Sequence, residues 1–516
     1  MQSIEDEYQS LEDKGTWTVV EDESSVPSAL PTHPVFKIKR LSGGVFERCK
    51  TRIVAGGNHQ TFGVDYHETH APVVDFATVR FFLRLAVIFS WERMQIDVKT
   101  AFLNGDLEEE IYVRSPRGIP DKKSRVYRLR KAIYGLKQAH LAWHSRVVSD
   151  LCASGFKELP SCPCVFVKWY SEDNAIVIIL VYVDDFLVFS SCKKRMEEIK
   201  NDLSSLYELR VLEEINYYLG VELSWSAKDG GEELTLSQPS YIETVLKRFG
   251  MENARPCPTP MIEGFYAGIE NEEDAVVLDQ NLYQQIIGCL LHIALRTRPD
   301  IMTAVGVLSR FAARPTAYCH KGAKRVMRYL RGSKTLGLVY STVAKCRTPQ
   351  VAVFVDSDYA SDTTTRKSTS GMTLFLEGAL VHWHSKRQKS CALSTCEAEY
   401  RAMTDASMDL LLYDRVLKEM RMPHKEVAVP IFSDNEAAIG WASGERSPYK
   451  RSKHIDVAVH FIRELARDGK VKVLYVPTDE NIADGMTKPL NKILYAKMTL
   501  MFGMKMTRPG NSEEEC

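Results

Sequence analysis

The chain has 516 residues, 45% of them hydrophobic and 26% charged, and its 67 Lys and Arg residues balance 67 Asp and Glu. This predicts a globular protein of three or four domains, while the zero net charge argues neither for nor against a nucleic-acid partner. The twelve cysteines form no C-x-x-C pair, which disfavours a zinc knuckle, and no apolar run reaches the ~20 residues of a membrane-spanning helix. Because the N-terminus is acidic and the thiols are scattered, we expect a soluble, intracellular protein without a signal peptide.

The first elements are predicted from hydrophobic spacing and turn residues. "SIEDEYQSLEDKG" predicts a helix that ends near Gly15. "VFKIKR" and "KTRIVAGG" predict the two strands of a hairpin around "LSGG". In "DFATVRFFLRLAV", apolar residues recur at helical spacing and predict an amphipathic helix.

Two shifts in composition divide the rest of the chain. Three prolines within residues 256–260 precede an acidic, turn-rich run and predict a linker. An amphipathic helix follows over residues 283–294, and the pattern restarts with the strand "VAVFVDSD" at Val351. We therefore expect four segments, 1–255, 256–350, 351–490 and a tail, 491–516.

Two adjacent aspartates interrupt the most apolar stretch, "AIVIILVYVDDFLVFS". Its first residues do not alternate with polar ones, so they predict a strand buried on both faces, and "FLVFS" predicts the returning strand. Asp184 and Asp185 then lie at or beside a tight turn, where Asp is common. Taken alone, the pair favours an Asp-rich hairpin tip over a functional site.

A third aspartate, Asp97, ends another apolar run in "MQIDVKTAFLNGDL". If the two strands are neighbours, the three carboxylates meet at one edge of a sheet, where burying bare charges is costly. Divalent metal is the usual means of neutralising such a cluster, and oxygen ligands suit Mg²⁺. Two such ions ~3.5–4 Å apart can activate an attacking hydroxyl and stabilise a leaving pyrophosphate.

Three motifs in order, "IDVKTAFLNGDLEEEIYV", "YGLKQAHLAW" and "YVDDFLVF", resemble the reverse transcriptase of copia-type LTR retrotransposons. The resemblance begins almost at residue 1, since "SLEDKGTW" and "VFKIKR" are similar to the start of that domain. It implies a fingers–palm polymerase over residues 1–255, in which Asp97, Asp184 and Asp185 are the catalytic metal ligands.

The resemblance also implies roles for residues near these aspartates. Phe102 would be the aromatic gate that collides with a ribonucleotide 2′-OH, and Gln138 would position the template and the incoming nucleotide. Lys50 and Arg52 would hold the triphosphate. Judged without the resemblance, Phe102 is equally well a core aromatic residue, and the two cations are more often a solvated hairpin surface.

The C-terminal third repeats the pattern of acids near strand ends. Asp356 follows apolar residues in "VAVFVDSDYASD", Asp434 ends a strand in "VPIFSDNEAAI", and Asp484 lies near a further strand end in "YVPTDENIADGMTKPL". "STCEAEYRAM" adds Glu397 and Glu399 at the start of a helix. Any one of these is most often a turn or a helix cap, but together they predict a site for two divalent metals acting on a phosphodiester.

The same third resembles the ribonuclease H domain that follows the polymerase in copia-type elements, through "DSDYASDTTTRKSTSG", "STCEAEY" and "SKHIDVAVHFIRE". The resemblance implies an RNase H-like mixed-sheet domain over residues 351–490, preceded by a helical connection or thumb-like region. Glu397 and Asp358 are rivals for two ligand positions, and Glu399 is preferred to Glu397 because "EYRAM" fits the family's helix best. By position, the metal ligands would be Asp356, Glu399, Asp434 and Asp484.

Two more groups of residues invite a functional interpretation. His382 and His384 would share one face of a strand, and a packed face or a hybrid-contacting edge is favoured over a metal site. "HKGAKRVMRYLRGSK" predicts an amphipathic helix whose basic side carries Lys321, Lys324, Arg325, Arg328 and Arg331. Such a helix is most often a solvated surface, but its place between two nucleic-acid sites favours phosphate contacts.

We therefore expect an RNA- and DNA-directed DNA polymerase with a linked ribonuclease H that degrades the RNA of RNA/DNA hybrids. The expected partners are an RNA template, a DNA primer strand, the hybrid, dNTPs and other retrotransposon polyprotein products. The expected cofactors are two Mg²⁺ or Mn²⁺ ions at each site. No membrane partner is expected, and the expected location is the cytoplasm, in a virus-like particle if the element is intact, or the nucleus.

Two alternatives stay open, a catalytically inactive remnant that binds nucleic acid and a protein with only one active site. The chain departs from the family at Gly56, where "AKG" is usual, and at His140 and Leu141, where Pro-Arg is usual. These changes favour decay, whereas the intact carboxylates favour an enzyme. The chain has no D-[ST]-G protease motif and no Cys/His integrase module, so it resembles only the last part of a longer polyprotein.

Overall fold

The computed structural model describes residues 2–22, 24, 26, 28–40, 46–115, 125–228, 231–265, 279–342, 348–422, 428–444 and 453–506. The chain forms two compact units. The first unit comprises residues 1–74 and 92–214, and the second comprises residues 75–91 and 215–516. The finer division into four segments stays a prediction.

In chain order, the α-helices of the described residues are α1 (Gln2–Asp13), α2 (Phe76–Phe89), α3 (Ala139–Ala153), α4 (Lys193–Leu206), α5 (Pro239–Arg248), α6 (Gln280–Arg296), α7 (Met302–Ser309), α8 (Ala317–Gly332), α9 (Thr395–Glu419), α10 (Glu436–Ser443), α11 (Lys453–Arg467) and α12 (Lys492–Met501). The strands are β1 (Trp17–Val19), β2 (Thr32–Arg40), β3 (Phe46–Ala55), β4 (Glu92–Val98), β5 (Tyr112–Arg114), β6 (Val126–Leu129), β7 (Lys157–Leu159), β8 (Cys162–Tyr170), β9 (Ala175–Tyr182), β10 (Asp185–Ser190), β11 (Leu209–Leu212), β12 (Tyr217–Tyr218), β13 (Val221–Lys228), β14 (Gly231–Ser237), β15 (Leu336–Ser341), β16 (Val351–Asp358), β17 (Thr369–Leu376), β18 (Ala379–Arg387), β19 (Val429–Ser433), β20 (Val471–Tyr475) and β21 (Met504–Met506).

The first unit is built on an antiparallel six-stranded sheet in the order β11-β4-β10-β9-β8-β7. β9 is buried from Ala175 to Val181, because its apolar run has side chains on both faces of an inner strand. β10 returns beside it, with Phe186 opposite Val181, as the sequence predicted. The predicted hairpin of β2 and β3 forms a two-stranded sheet, and β1-β6-β5 form a third sheet.

The second unit contains two five-stranded sheets. β12-β13-β14-β15-β21 is antiparallel, and its last strand comes from the predicted C-terminal tail, where Met504 pairs with Leu338. The other sheet, β18-β17-β16-β19-β20, is mixed: β16, β17 and β18 are antiparallel, whereas β16, β19 and β20 are parallel. This is the mixed sheet predicted for an RNase H-like domain.

Helix α2 belongs to the second unit, although the chain before residue 75 and after residue 91 belongs to the first. Two of its arginines are buried and donate to backbone carbonyls far along the chain. Arg80 binds the carbonyls of Val381 at 2.7 Å and Leu295 at 2.7 Å. Arg84 binds those of Ser341 and Glu377. Buried cations require such partners, so these bonds fix α2 within the second unit.

The remaining predicted elements can be placed as well. α6 buries the predicted apolar face, including Tyr283, Ile286 and Leu290. The acidic part of the predicted linker lies in 266–278, outside the described residues, as does the end of the tail beyond residue 506. Within the described ranges, no helix combines the length and apolarity needed to cross a bilayer.

Candidate active sites

The first acidic site is organised by strand pairing. β10 pairs antiparallel with β4, and the register sets Asp185 directly opposite Asp97. Residues opposite each other across an antiparallel pair extend on the same face with their Cβ atoms ~5 Å apart. The predicted neighbouring of the two strands is therefore confirmed, and two of the three predicted ligands share one end of the sheet.

Asp184 is held by the turn that joins β9 to β10. Val183 has a positive φ of 56°, which a β-branched residue rarely adopts. The indole nitrogen of Trp143, on α3, donates to the Val183 carbonyl at 2.7 Å, and the amide of Val98 donates to the Asp184 carbonyl at 2.8 Å. Sequence reasoning missed Trp143 as the residue that holds this turn.

Burial makes the carboxyls of Asp184 and Asp185 hard to ionise. The pKa of Asp185 is raised to about 6, mainly by burial and less by Asp184 and Asp97, against a hydrogen bond from Gln95 that lowers it. The pKa of Asp184 is raised mainly by burial. In the described structure, the carboxylate oxygens of the three aspartates do not all approach within 4.8 Å of one another.

A basic cleft on the β2–β3 hairpin accompanies this site. Val35, Lys37, Lys50 and Arg52 line a cavity of about 130 Å³. Lys37 is directly opposite Lys50 across the hairpin, and like charges in that position are destabilising unless an anion offsets them. Both predicted cations, Lys50 and Arg52, are close enough to Asp184 to lower its pKa. Lys37 was not predicted from the sequence. It could have been found from the predicted hairpin, in which it pairs with Lys50.

Phe102 lies at the end of an aromatic and cationic stack. Its ring packs edge-on against Tyr134, with ring centroids 4.9 Å apart. The guanidinium of Arg52 also contacts this ring, 4.3 Å from the Tyr134 centroid, and its Nη2 donates to the Tyr134 hydroxyl at 3.3 Å. Phe102 is half-buried, so part of its ring is open to solvent. Tyr134 was not singled out from the sequence.

Gln138 is buried, and its side-chain amide forms hydrogen bonds to neighbouring loops of the chain. Its Nε2 donates to the Asp65 carbonyl at 2.7 Å and to Glu109, and its Oε1 accepts from Gln60 at 2.9 Å. The loops approach closely at Gly57, where a Cβ atom would lie 2.0 Å from the Gly135 carbonyl. The role predicted for Gln138 toward template and nucleotide stays a prediction.

The second acidic site brings three predicted ligands into one cluster. One ligand oxygen each from Asp356, Glu399 and Asp434 lies within 4.8 Å of the others. Asp356 lies inside β16 rather than after it, which corrects the predicted strand end, because the strand continues to Asp358. Glu399 lies in the first turns of α9, and Asp434 directly follows β19. Asp358 is not part of this three-residue group.

Asp484 reaches this site through a 3₁₀ helix, Ile482–Met486, and not from a strand end as predicted. The helix packs on β17 at Gly371, opposite Asp356, where a Cβ atom would lie 2.6 Å from Thr487. Thr487 donates its hydroxyl to Asp356. Lys488 pairs with Asp484 at 3.0 Å. Lys488 was missed, although it lies four residues after Asp484 in the same turn-rich motif.

The carboxyls of the second site are strongly perturbed. Burial raises the pKa of Glu399 to about 9, with further contributions from Asp356 and Asp434. Burial and Asp356 raise the pKa of Asp484 to about 7 against the opposing charge of Lys488. Glu399 Oε2 and Asp484 Oδ1 are buried without a hydrogen-bond partner. Orphaned carboxylate oxygens beside other acids are the environment that a divalent cation satisfies, so this donor set fits Mg²⁺ or Mn²⁺.

Glu397 has a different environment from Glu399. Its Oε1 pairs with Arg401 at 2.5 Å, and its Oε2 accepts from the Leu393 amide at 2.9 Å. Both oxygens are thus occupied by the protein, as expected of a residue that holds a helix start. The contrast supports Glu399 as the ligand.

The two histidines and the basic helix have contacts within the chain. His382 and His384 both face Asp409 of α9, with Nε2 to Oδ2 distances of 3.5 and 3.8 Å, which agrees with a packed strand face. On α8, Arg325 donates to Thr259 and Arg328 donates to the Arg255 carbonyl. Arg331 similarly binds the Glu252 carbonyl. The predicted cations with exposed side chains are Lys321 and Lys324.

Comparison with known proteins places the chain in a family. The family described as reverse transcriptase (RNA-dependent DNA polymerase) matches residues 14–263. The chain is 37% identical over 508 residues to a retrovirus-related Pol polyprotein from transposon TNT 1-94 of Nicotiana tabacum, which covers 96% of this chain and 37% of that relative. It is 30% identical over 318 residues to a transposon Ty5-1 protein of Saccharomyces cerevisiae, covering 61% of this chain and 100% of that relative. The chain belongs to the reverse transcriptase family of copia-type retrotransposons.

Membership of this family confirms the predicted resemblance. The predicted fold class is α/β and α+β, with a fingers–palm reverse transcriptase followed by an RNase H-like mixed sheet, and the sheets of the two units agree with it. A retrovirus-related Pol polyprotein from transposon RE1 of Arabidopsis thaliana is 34% identical over 500 residues, which cover 96% of this chain. The chain spans about a third of the length of these Pol polyproteins, namely 37% for TNT 1-94 and 33% for RE1. A foamy viral protease–reverse transcriptase in complex with double-stranded DNA is similar with a TM-score of 0.48 and 13% identity, covering 92% of this chain and 69% of that chain.

Proposed function

We propose that the chain is an RNA- and DNA-directed DNA polymerase with a linked ribonuclease H that degrades the RNA of RNA/DNA hybrids. The observation that carries the proposal is that each unit holds its own set of converging carboxylates. These are Asp97 opposite Asp185 in the first unit and the cluster around Glu399 in the second. Isolated buried acids are costly, and two such sets in a reverse transcriptase family member support two phosphoryl-transfer sites.

At the first site, the acids lie beside groups suited to a nucleoside triphosphate. Lys37 and Lys50 supply point charges, and Arg52 offers a planar donor fork, oriented by its stacking on Tyr134. Phe102, which packs on the same ring, would exclude a sugar 2′-OH by contact. The chain's own residues thus bind and orient the dNTP while Asp97, Asp184 and Asp185 face the reacting phosphate.

At the second site, Asp356, Glu399, Asp434 and Asp484 would face the scissile phosphodiester of the RNA strand. Lys488 holds Asp484, and Thr487 holds Asp356, so that both carboxyls are oriented before substrate binds. When bound, two Mg²⁺ or Mn²⁺ ions at each site would supply the positive charge that activates the attacking oxygen and stabilises the leaving one.

The partners that follow are an RNA template, a DNA primer strand, their hybrid and dNTPs, with other polyprotein products of the element as further partners. Lys321 and Lys324 on α8 would contact phosphates without reading base sequence. We propose a cytoplasmic location, in virus-like particles if the element is intact, with a nuclear location as the alternative.

Primer extension on an end-labelled RNA template with Mg²⁺ tests the proposal, because it reports DNA synthesis and template cleavage in one reaction. Both products are expected from the wild-type chain, and neither from a protein carrying Asp185→Asn together with Glu399→Gln. A chain that binds the hybrid but yields neither product would be the inactive remnant. A chain that yields one product would have one active site, and either result would contradict the proposal.

A further inference from the structure

A second group of metal-ligating side chains lies in the first unit, away from the three aspartates in sequence. One ligand atom each from His144, Glu158 and Cys164 lies within 4.8 Å of the other two. The three residues come from three elements: His144 from α3, Glu158 from β7 and Cys164 from β8. His144 and Glu158 are half-buried and Cys164 is buried, so the group is shielded but reachable from solvent.

The distance between the sulfur and nitrogen atoms of the group suits a cation with tetrahedral coordination. Cys164 Sγ lies 3.5 Å from His144 Nε2. Zinc–sulfur and zinc–nitrogen bonds of ~2.3 and ~2.0 Å, meeting at a tetrahedral angle, separate the two ligand atoms by roughly 3.5 Å. The sulfur and the nitrogen are therefore already spaced as two ligands of one zinc ion.

The backbone around Cys164 is shaped to direct its side chain into the group. The pairing of β7 with β8 shifts register between Glu158 and Leu159, so the chain bulges just where the ligands lie. Cys164 itself has a positive φ of 68°, and its amide donates to Glu158 Oε1 at 2.8 Å. Glu158 pairs with Phe166 and Leu159 pairs with Cys162, so Cys164 lies in the bulge between the two pairs and is held beside Glu158 by its amide hydrogen bond.

The mixture of donors indicates which metal the group would take. Mg²⁺ and Ca²⁺ prefer oxygen ligands, whereas a thiolate with an imidazole nitrogen favours zinc. We propose that His144, Glu158 and Cys164 form a Zn²⁺ site with three protein ligands and a fourth position for water. On binding, the Cys164 thiol loses its proton to solvent, and the sulfur, the imidazole nitrogen and one carboxylate oxygen each donate an electron pair to the ion.

A metal at this position would clamp α3 against the edge of the six-stranded sheet. Trp143, next to His144, holds the Val183 carbonyl in the turn that carries Asp184. The clamp would therefore stabilise the helix that supports the first acidic site. Zn²⁺ should raise the thermal stability of the folded chain, because a ligand that binds only the folded state stabilises it.

Cobalt substitution tests the site without relying on catalytic activity. The full chain is freed of metal by a chelator, kept reduced with a phosphine, and titrated with Co²⁺ in excess Mg²⁺, which saturates carboxylate-only sites. A cysteine ligand produces a thiolate-to-cobalt charge-transfer band in the near ultraviolet. One equivalent of Co²⁺ should develop this band, and Zn²⁺ should abolish it by competition.

Two cysteine variants form a matched pair, because Cys162 is also buried and lies two residues away. Cys164→Ser should remove the band, whereas Cys162→Ser should keep it. His144→Gln and Glu158→Gln should each weaken Zn²⁺ binding by about tenfold or more. A band that is missing from the wild-type protein, that persists in Cys164→Ser, or that disappears only in Cys162→Ser would overturn the site.

Thermal unfolding of the metal-free proteins shows whether each variant folds. If Cys164→Ser does not fold, the half-buried His144→Gln decides the question through its Zn²⁺ affinity. Equal affinity and equal Zn²⁺-dependent stabilisation in wild type and His144→Gln would mean that the group is only a hydrogen-bonded cluster, and the proposal would fail.

Discussion

Asp97 and Asp185 are direct cross-strand neighbours on β4 and β10. Two carboxylates in this relationship repel each other, and burial makes Asp185 costly to charge. The sheet places them together nonetheless, because the apolar residues on either side of each aspartate fix the register of the two strands. The pair is therefore a built-in cost of the fold that a bound cation would offset.

Neutralising one member of this pair should separate the two activities. Asp97→Asn or Asp185→Asn should lower DNA synthesis by about 100-fold or more, because each removes charge that the reacting phosphate site needs. RNA cleavage in a preformed hybrid should change little. Asp202→Asn, an exposed aspartate of α4, is the matched control and should retain both activities. Parallel loss of both activities in a folded Asp97→Asn protein would contradict two separate sites.

The pKa of Glu399 predicts how stability depends on pH without metal. Its folded pKa of about 9 lies above the unfolded value of ~4.3, so the folded state binds the proton more tightly. This contribution is complete below pH ~4.3 and is lost as pH rises toward 9. In chelator, Glu399→Gln should make unfolding free energy fall less steeply with pH, by at most about 1.4 kcal/mol per pH unit. Denaturant unfolding at pH 5 to 8 measures this slope, and equal slopes would contradict it.

The two glutamates at the start of α9 should differ in RNA cleavage. Glu399→Gln should abolish cleavage and spare DNA synthesis, because its free oxygen faces the acidic cluster. Glu397→Gln should retain cleavage but lower stability, because Arg401 loses its carboxylate partner and keeps only its bonds to Ser390. A hybrid-cleavage assay beside thermal unfolding compares them. Cleavage lost only in Glu397→Gln would reverse the assignment.

Removing the ring of Phe102 should admit ribonucleotides. Phe102→Ala opens the space beside Tyr134 that a 2′-OH would occupy, so selectivity should fall more than the rate with dNTPs. Leu103→Ala is the control, since Leu103 is the next residue along the chain and belongs to the buried hydrophobic core. Competition between rNTPs and dNTPs in primer extension measures the ratio. An unchanged ratio would make Phe102 an ordinary packing residue.

The exposed lysines of α8 should contribute to the salt dependence of hybrid binding. Lys321→Ala with Lys324→Ala should reduce the slope of log affinity against log salt by about 0.9 per contact on a B-form duplex. Arg328→Ala should instead cost about 1 kcal/mol of stability, because it removes a bond to the Arg255 carbonyl. Affinity measured at several salt concentrations distinguishes them, and parallel lines for wild type and the double lysine variant would leave α8 a solvated surface.

Much of the local structure could be predicted because its cause is local. The unbroken apolar run of β9, the returning β10 and the amphipathic α6 follow from side-chain periodicity, which acts within a few residues. Asp97, Asp356 and Asp434 were found in the same way, since a charge after an apolar run stands out. Glu399 was instead preferred to Glu397 because the residues after it fit the family's helix. Asp484 was placed near a strand end, but a 3₁₀ helix carries it, because turn-rich segments have no periodicity to follow.

The sequence by itself determined the elements, the acidic residues and, through its motifs, the family. Only the tertiary structure decided which groups meet: Arg80 with carbonyls more than two hundred residues away, Gln138 with Gln60, and His144 with Cys164. Such partnerships depend on how separate elements pack, and a polar side chain has the same sequence signature whether it faces solvent, a nucleic acid or another loop. The physical reason is that hydrophobic spacing fixes which face of an element is buried, whereas packing fixes what that face, and the polar groups at its edge, will touch.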